Sequence, residues 1–306
     1  MRKEWRMIVL DVMCGMGNQM FQYAYARALQ EQCDEKIFLT MVTAKRMNDN
    51  RSFSLIHCAL KDSVSILPVW QQYILDIYFK LKMKFLGKKY TDLDPKEKYE
   101  LLAKEGIYTT EKIYCYYGFP LCAKRMKYIN GWWQTEKYFN SIARQIRREL
   151  LIKTPPSEQN IRMLNKIQSG ESVCIHVRRG DYVSEKFSNE LNICDKQYYR
   201  KAIAIIKSKV HEPIFYIFST SHEDLEWIRN EWRLEENAVY VDLDNSDYEE
   251  LRLMYSCKHF ILANSTFSWW GAYLSQNENK IVIAPKIWNR RDDDFEDIYM
   301  REWMRI

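Results

Sequence analysis

Three groups of residues carry side chains that could do chemistry, and each of them follows a short apolar run. They occupy residues 14–19 (CGMGNQ), 176–182 (HVRRGDY) and 263–271 (ANSTFSWWG). Short continuous apolar runs are typical of strands buried in a parallel sheet. Ligands of such sheets bind at the carboxyl ends of the strands. The three groups are therefore the first candidates for a binding or catalytic site.

The second group is the most informative, because two arginines leave a strand end together. The guanidinium groups of Arg178 and Arg179 are planar, permanently charged and able to bind phosphate through paired hydrogen bonds. Gly180 allows a turn, and Asp181 could orient an arginine or accept a proton. A surface charge pair and a chance RGD adhesion sequence are the alternatives, and the position at a strand end disfavours the second. The group predicts a diphosphate site.

The first group adds neutral donors and acceptors at the mouth of a sheet. Gly15 and Gly17 permit close approach of the backbone, but the pattern is not GxGxxG, because Met20 stands at its third position. Asn18 and Gln19 bring amide side chains to the turn. Capping of the following helix is the alternative role for Asn18.

The third group opens a predicted helix with hydroxyl side chains. Ser265 and Thr266 can present their hydroxyls, and the free N–H groups of the first helical turn, to a phosphate. An N-cap followed by a core-facing pair, Trp269 and Trp270, is the alternative, and the two roles are compatible.

The elements that position these groups alternate between strand and helix. In the first half, strands are predicted over 7–13 and 36–40, with a glycine turn and a helix from Asn18 between them. The TPPS segment at 154–157 is the best boundary, because paired prolines stop helices. After it, strands are predicted over 172–178, 213–219, 238–242, 259–262 and 280–284, with helices near 199–206, 225–232 and 251–255, the second of them capped at Ser221. This alternation implies a mostly parallel sheet.

Composition excludes several classes of protein. The 306 residues suffice for two domains, and 47% hydrophobic with 28% charged residues excludes a disordered chain. No run of 18 apolar residues exists, so no transmembrane helix is expected, and the apolar run at 7–13 is too short for a signal peptide. Residues 1–155 carry 26 basic and 16 acidic side chains, whereas residues 156–306 carry 20 and 25. Duplex nucleic acid is not expected as a partner, since no helix carries a dense run of Arg and Lys.

A basic and aromatic helix is predicted near residues 70–89. Apolar side chains recur there at helical spacing, at Trp70, Ile74, Ile77, Tyr78 and Leu81, and five lysines lie between residues 80 and 89. Such a helix can lie on an anionic membrane surface. An ordinary helix whose lysines extend past apolar neighbours is the alternative. Another helix is predicted over 138–150.

Eight cysteines are scattered along the chain, without a CxxC pair or a histidine at zinc-site spacing. We expect free thiols in a reducing compartment. The expected location is therefore cytoplasmic, with peripheral contact at the inner membrane face left open for the basic helix.

Four motifs, taken in order, resemble the inverting α-1,2-fucosyltransferase family of bacterial and animal enzymes. They are GMGNQMFQYA near the start, GWWQTEKYF at 131–139, HVRRGDY at 176–182 and CKHFILANSTFSWWGA at 257–272. The resemblance covers nearly the whole chain. It implies an α/β, GT-B-like glycosyltransferase of two Rossmann-like domains facing a cleft, with 1–154 on the acceptor side and 155–306 holding the donor. The implied reaction moves L-fucose from GDP-β-L-fucose to the 2-hydroxyl of a terminal galactose of a β-galactoside glycan, with no metal or cofactor.

The resemblance also assigns roles to residues that match the motifs. Arg178 would bind the donor diphosphate with support from His176 and Arg179, and Asp181 would organise the loop. The resemblance does not identify the catalytic base, and Asp181 is the candidate for it because it lies beside the two arginines. Further donor contacts would come from Gly17, Asn18, Gln19, Ser265, Thr266 and Ser268. Two departures from the family pattern stand out: Cys14 replaces a usual glycine, and residues 218–227 lengthen an FSDD-like motif, which puts the contacts of Ser219, His222 and Asp224 in doubt.

Four other functions stay open from the sequence. A metal-dependent transferase would use an Asp-x-Asp motif, which Asp242 and Asp244 match, and residues 292–294 form another acidic run. A fucosyltransferase of α-1,6 linkage is the second. A sugar-binding lectin would suit the aromatic content of 14%, but it would leave unexplained the segment 178–182, which we call the arginine loop. A dehydrogenase conflicts with the incomplete glycine fingerprint.

Overall fold

The chain divides into two α/β units. The computed structural model describes residues 6–46, 52–120, 122–185, 188–291 and 294–306. Unit 1 comprises the described residues up to Leu150 together with Glu296–Ile298, and unit 2 comprises those of Leu151–Phe295 and Tyr299–Ile306. The paired prolines of the TPPS segment lie shortly after this division and belong to neither helix nor strand.

Unit 1 is built on a sheet whose described strands all pair in parallel. The strands are β1 Met7–Asp11, β2 Lys36–Thr40, β3 Val64–Ile66, β4 Ile107–Tyr108 and β5 Met126–Ile129, in the order β3-β2-β1-β5-β4. The central place of β1 follows from its sequence, because both of its faces are apolar and Ile8, Val9 and Leu10 are fully buried. Its carboxyl end leads into the first candidate group.

The described helices of unit 1 are α1 Met16–Cys33, α2 Val42–Arg46, α3 Val69–Lys89, α4 Pro95–Lys104 and α5 Ala143–Glu149. The predicted helix after β1 is confirmed but begins two residues earlier than Asn18, at Met16. The predicted helix near 70–89 is also confirmed. α4 begins at a sequence signal, because the Asp94 side chain accepts hydrogen bonds from the backbone amides of Lys96 and Glu97.

The single helix predicted over 138–150 is wrong in its first part. Glu136–Tyr138 and Asn140–Ile142 form separate 3₁₀ turns, and α5 starts only at Ala143. Phe139 and Ile142 have ψ angles of 14° and 21°, which lie outside the α-helical range and interrupt its hydrogen-bond ladder.

Unit 2 has a second sheet of parallel pairings. Its strands are β6 Glu171–Val177, β7 Pro213–Ser219, β8 Val239–Tyr240, β9 His259–Ile261, β10 Val282–Ala284 and β11 Met304–Arg305, in the order β11-β10-β9-β6-β7-β8. Its helices are α6 Glu158–Gln168, α7 Ser188–Leu191, α8 Lys196–Lys209, α9 His222–Trp227, α10 Asp247–Tyr255 and α11 Thr266–Leu274. The strands predicted for this half are confirmed, with small shifts at their ends. The expected fold class of two parallel-sheet α/β domains is thus confirmed.

Each unit has its own apolar core. In unit 1, the ring of Phe79 on α3 stacks on Tyr128 of β5, with 4.0 Å between the ring centres. In unit 2, Val173 and Ile175 of β6 are fully buried in one cluster with Tyr199 of α8. These contacts fix the helices against the sheets that carry the candidate loops.

The ion pair of Lys127 and Glu35 is buried inside unit 1. Nζ of Lys127 on β5 is 2.5 Å from an oxygen of Glu35, and both side chains are 2% exposed. The other carboxylate oxygen of Glu35 has no hydrogen-bond partner among the described residues. Because both charges are buried, removing either residue would leave the other charge unpaired and would lower the stability of the fold.

All eight cysteines are free thiols, as predicted. None of the helices within the described ranges combines the length and apolarity that a bilayer-spanning segment needs.

Candidate functional site

Two of the predicted groups meet at one edge of the sheet in unit 2. β9, β6, β7 and β8 are successive neighbours and run parallel, so their carboxyl ends lie on the same side. The second group follows β6 and the third follows β9. The hydroxyl of Tyr182 donates to the backbone carbonyl of Asn264 at 3.1 Å and joins the two loops directly.

Arg178 is the first residue after β6, and its guanidinium is only partly engaged. Its Nη2 donates to Oδ1 of Asp181 at 2.7 Å, and the two side chains are 20% and 37% exposed. Its buried Nε has no hydrogen-bond partner among the described residues. The guanidinium of Arg178 therefore has one accessible ion pair and one N–H group that is not used. The ion pair favours a role for Asp181 in organising the loop.

Arg179 is held much more firmly than Arg178. Its Nε donates to Oδ1 of Asp224 at 3.1 Å, and the other oxygen of Asp224 accepts from the backbone N–H of Gly180 at 3.1 Å. The guanidinium carbon lies 3.4 Å from the centre of the Trp227 ring, close enough for a strong cation–π contact. We call Asp224 and Trp227 the Arg179 clamp. This arrangement favours a positioning role for Arg179 over direct phosphate binding.

The sequence places Asp224 correctly for this purpose. The hydroxyl of Ser221 accepts a hydrogen bond from the backbone N–H of Asp224 at 3.3 Å, so the predicted cap of α9 is confirmed. The cap fixes the first turn of α9 and thereby the direction of the carboxylate. The lengthened motif at 218–227 thus supports the arginine loop.

Gly180 is required by space as well as by backbone angle. Its φ is +35°, and a Cβ placed on it would come within 2.7 Å of Cγ2 of Thr220. The turn after the two arginines therefore packs against the segment that follows β7.

His176 lies inside the sheet and not on its accessible edge. It is 2% exposed, and Tyr199 donates to its backbone carbonyl at 3.0 Å. Burial, with a smaller effect from the neighbouring charge of Arg178, lowers the pKa of His176 to about 3. A neutral imidazole thus packs behind Arg178, and it can support the donor loop only indirectly.

The two serines of the third group, Ser265 and Ser268, are buried, and Thr266 is half-buried. Ser265 caps α11, because its hydroxyl accepts from the backbone N–H of Phe267 at 3.3 Å, and the half-buried Thr266 begins the helix. Ser268 is fully buried, with backbone carbonyls of Ala263 and Ser265 at 3.0 Å from its hydroxyl. The first two residues lie at the helix N-terminus, whereas Ser268 holds the loop from behind.

A depression of about 310 Å³ opens at the ends of β7 and β8. Burial raises the pKa of Glu250 on α10 to about 8, although the charge of Arg178 opposes the shift. Glu250 is therefore protonated at neutral pH and does not neutralise Arg178. The lining residues are Ser219, Thr220, Ser221, His222, Leu225, Val241, Asp242, Leu243, Asp244, Asn245 and Glu250.

The Asp-x-Asp motif lies on the wall of this depression. Oδ2 of Asp242 is 2.5 Å from Nδ1 of His222, and this hydrogen bond raises the pKa of His222. Within the described ranges, no three His, Cys, Asp or Glu side chains are grouped so that they could hold a metal ion. Residues 292 and 293 of the other acidic run lie outside the described residues.

The first group forms the turn between β1 and α1 in unit 1. Cys14 has a φ of +64°, in the left-handed region that favours glycine, which gives a physical meaning to its departure from the family pattern. α1 then begins after Gly15, and no side chain caps it. The alternative role of Asn18 as a helix cap is therefore wrong.

The amide side chains of this group have different surroundings. Gln19 is 3% exposed, and its Nε2 donates to the backbone carbonyls of Cys14 and Ser52 at 2.8 and 2.9 Å. Asn18 is half-buried, and its Oδ1 accepts from Gln134 at 2.9 Å. Gly17 is buried within α1. Gln19 ties the turn to its surroundings, and Asn18 keeps an accessible surface.

Sequence reasoning missed Asp11, which organises the end of β1. This carboxyl is fully buried and accepts hydrogen bonds from the hydroxyls of Thr43 and Tyr128 at 2.5 and 2.7 Å and from the amide of Asn130 at 3.0 Å. Burial raises its pKa against these hydrogen bonds. An acid that ends an apolar strand run is the signal that could have identified it.

The fold is shared with solved glycosyltransferase structures. The α-1,6-fucosyltransferase NodZ soaked with GDP-fucose matches with a TM-score of 0.54 and 12% identity, over 88% of this chain and 92% of that one. Fucosyltransferase NodZ from Bradyrhizobium matches with a TM-score of 0.53 and 11% identity, over 87% and 92%. The chain therefore shares the GT-B-like fold of these structures.

The chain belongs to glycosyl transferase family 11, whose sequence model matches residues 7–306. An α-1,2-colitosyltransferase of Escherichia coli is 26% identical over 98% of both chains. The O-antigen biosynthesis glycosyltransferase WbnK of Escherichia coli is 26% identical over 90% of this chain and 92% of its own. Human galactoside α-(1,2)-fucosyltransferase 1 is 23% identical over 95% and 72%. The protein is a glycosyltransferase.

Proposed function

We propose that this glycosyltransferase moves L-fucose from GDP-β-L-fucose to the 2-hydroxyl of a terminal galactose, with inversion and without a metal ion. The observation that carries the proposal is the guanidinium of Arg178 at the end of β6, which is partly exposed and paired with the accessible carboxylate of Asp181. The names of the colitosyltransferase and of the human relative both specify α-1,2 transfer, which supports the linkage.

The donor diphosphate would bind to Arg178 and to the start of α11. Phosphate oxygens can replace Asp181, whose side chain is 37% exposed, as the partner of the Arg178 guanidinium. Because Glu250 is protonated at neutral pH, the positive charge of Arg178 stays available for an anion. Ser265 and Thr266 lie at a helix N-terminus, which favours negative charge. Unit 2 is thus the proposed donor unit, and unit 1 the proposed acceptor unit.

The guanine base would occupy the depression at the ends of β7 and β8. Its N1–H and amino group are donors, and carboxylates such as Asp242 and Asp244 on the wall are acceptors for them. The depression adjoins the loop of Arg178, because Glu250 lines it and senses the charge of that arginine. One nucleotide could therefore reach both places.

The transfer breaks the bond between fucose C1 and the β-phosphate oxygen, and GDP leaves with the electron pair. The acceptor hydroxyl forms the new bond to C1 from the opposite face and releases its proton to water. Arg178 stabilises the charge that develops on GDP, and such prearranged electrostatics is usually the largest catalytic contribution. Asp181 would hold Arg178 in place between turnovers, and Asn18 is the proposed substrate contact of unit 1.

Colitosyl transfer is a second candidate, because a relative 26% identical over nearly the whole chain carries that name. Nucleotide-activated fucose and colitose, offered separately to the same preparation, would distinguish the two donors by initial rate.

The partners under the main proposal are GDP-fucose and a β-galactoside glycan, and the proposed location is cytoplasmic.

The decisive experiment incubates the protein with GDP-fucose and a panel of galactosides and maps the product linkage by NMR. We expect an α-1,2-fucosyl galactoside, formed equally well in EDTA. An α-1,6 product, or loss of activity in EDTA that a divalent metal restores, would contradict the linkage or the metal-independent step.

A matched pair of variants tests the role of Arg178. Arg178→Ala should lower the transfer rate by about 10²–10³ and weaken GDP binding in calorimetry. Arg162→Ala, on the exposed side of α6, removes an arginine of the same unit and should leave both unchanged. Normal turnover by folded Arg178→Ala would refute the assignment, and a lectin would show no GDP binding in the unaltered protein.

A further inference from the structure

Helix α3 of unit 1 is apolar on both of its sides. One side belongs to the core, where Phe79 and Leu86 are buried and Phe79 stacks on Tyr128. Gln72 is also buried there and donates to the backbone carbonyl of Leu67 at 2.7 Å. A helix on the surface of a globular protein normally turns polar residues to solvent on its other side. α3 does not.

The solvent side of α3 carries a stripe of large apolar residues. Positions 70, 74, 77, 81 and 85 repeat at intervals of three and four, so they share one face of the helix. Every residue of this stripe is between 57% and 73% exposed. We define the α3 face as the exposed residues Val69, Trp70, Tyr73, Ile74, Ile77, Tyr78, Leu81 and Phe85. A continuous exposed patch of this kind marks a surface that binds something.

Lysines accompany the α3 face, and acids do not. Lys80, Lys84, Lys88 and Lys89 are exposed along the second half of the helix. The single acid of α3 is Asp76, which is 7% exposed and lies 3.6 Å from Lys80. The exposed side of the helix is therefore apolar and positively charged, with no carboxylate of its own.

We propose that the α3 face binds the surface of an anionic lipid bilayer, with the helix lying in the plane of the interface. Apolar side chains would enter the boundary between headgroups and acyl chains, and the lysines would meet the anionic headgroups. Trp70, Tyr73 and Tyr78 are residue types that accumulate at membrane–water interfaces. A second copy of the chain fits less well, because the face has no carboxylate to pair with the other copy's lysines.

The proposal is independent of the donor, the linkage and the site in unit 2. It predicts that the unaltered protein co-sediments at low salt with vesicles of phosphatidylcholine and phosphatidylglycerol, and that pure phosphatidylcholine retains much less. High salt should release a large part of the bound protein, because headgroup attraction is screened.

Two variants of the α3 face and one control test the surface. Lys84→Glu with Lys88→Glu should weaken binding at least about 25-fold, since each lysine near an anionic surface contributes about fivefold. Ile77→Ser with Leu81→Ser should weaken it as well, and both residues are exposed, so folding is preserved. Lys96→Glu with Lys104→Glu makes the same charge change on α4 and should have a much smaller effect.

Three outcomes would overturn the proposal. The first is that the unaltered protein does not co-sediment with anionic vesicles at low salt. The second is that the variants of the α3 face bind as tightly as the control. The third is that sedimentation velocity finds a dimer that Ile77→Ser with Leu81→Ser abolishes while vesicle binding is absent. Selective loss in both α3 variants supports the proposal.

Discussion

Replacing Asp224 by asparagine opens the Arg179 clamp with the least change in shape. The carboxylate accepts from Arg179 and from the backbone of Gly180, both at 3.1 Å, and an amide can accept only through one oxygen. A hydrogen bond to a charged group contributes about 1.5–3 kcal/mol when buried. Both side chains are less than one-fifth exposed, so solvent screens the pair only in part. We expect the ordered conformation of the loop at residues 178–182 to lose about 2 kcal/mol of free energy relative to disordered conformations of the same loop.

That local loss should appear in catalysis more than in global stability. If the loop must be ordered before Arg178 can hold the diphosphate, about 2 kcal/mol lowers kcat/KM for GDP-fucose roughly 30-fold. Steady-state rates at varied donor concentration and thermal unfolding would be measured together. Glu226→Gln is the matched control, because it breaks another ion pair on α9, that with Arg229, away from the loop.

The result that would refute this reasoning is a folded Asp224→Asn variant whose kcat/KM stays within about twofold of the unaltered enzyme. Asp224→Glu should recover part of the activity, since it restores a carboxylate. If both variants lose activity and stability equally, the carboxylate acts on the fold as a whole and the clamp is not specific to the loop.

Two further predictions concern Glu250 and Glu35. Glu250→Gln should flatten the pH dependence of stability, because the folded protein keeps this proton up to about pH 8 whereas an ordinary glutamate releases it near 4.5. Between pH 5 and 7 the unaltered protein should lose roughly 2.5 kcal/mol of stability as pH rises, and the variant should not show this loss. Lys127→Met should cost about 3–5 kcal/mol in urea unfolding, because it strands the charge of Glu35, and adding Glu35→Gln should recover most of it.

Parallel curves for Glu250→Gln and the unaltered protein would contradict the protonated state of Glu250. A single Lys127→Met variant as stable as the parent would contradict the mutual dependence of the pair with Glu35.

Five of the six strands of unit 2, β6 to β10, could be predicted because burial on both faces leaves a simple sequence pattern, whereas the two-residue β11 was not predicted. β7 was expected over 213–219 and has those bounds, and the cap at Ser221 follows from its residue type and spacing. In unit 1, β3, β4 and β5 gave no comparable signal. They have three, two and four residues, and β3 at the sheet edge is largely exposed, so neither length nor periodicity reveals it.

The site divides in the same way. The positions of Arg178 and Ser265 at adjacent strand ends follow from their local runs and from the rule for parallel sheets. The contact between Arg179 and Asp224 joins residues 45 positions apart, and no local pattern contains it. The protonation of Glu250 arises from burial by tertiary packing, which a sequence alone does not show. The positions of the charged side chains along the strands and loops could thus be predicted from the sequence, whereas the residues with which they pair could not.

The tight turn at Gly180 also determines whether the RGD tripeptide at 179–181 is accessible to another protein. Arg179, Gly180 and Asp181 spell a tripeptide that cell-adhesion receptors recognise when it projects freely from a surface. Here the guanidinium lies against an indole ring, the amide donates to Asp224 and the carboxylate faces Arg178. A receptor could read the tripeptide only after this loop had come apart. In this protein the RGD tripeptide is a tight turn in which each of the three residues has a structural contact.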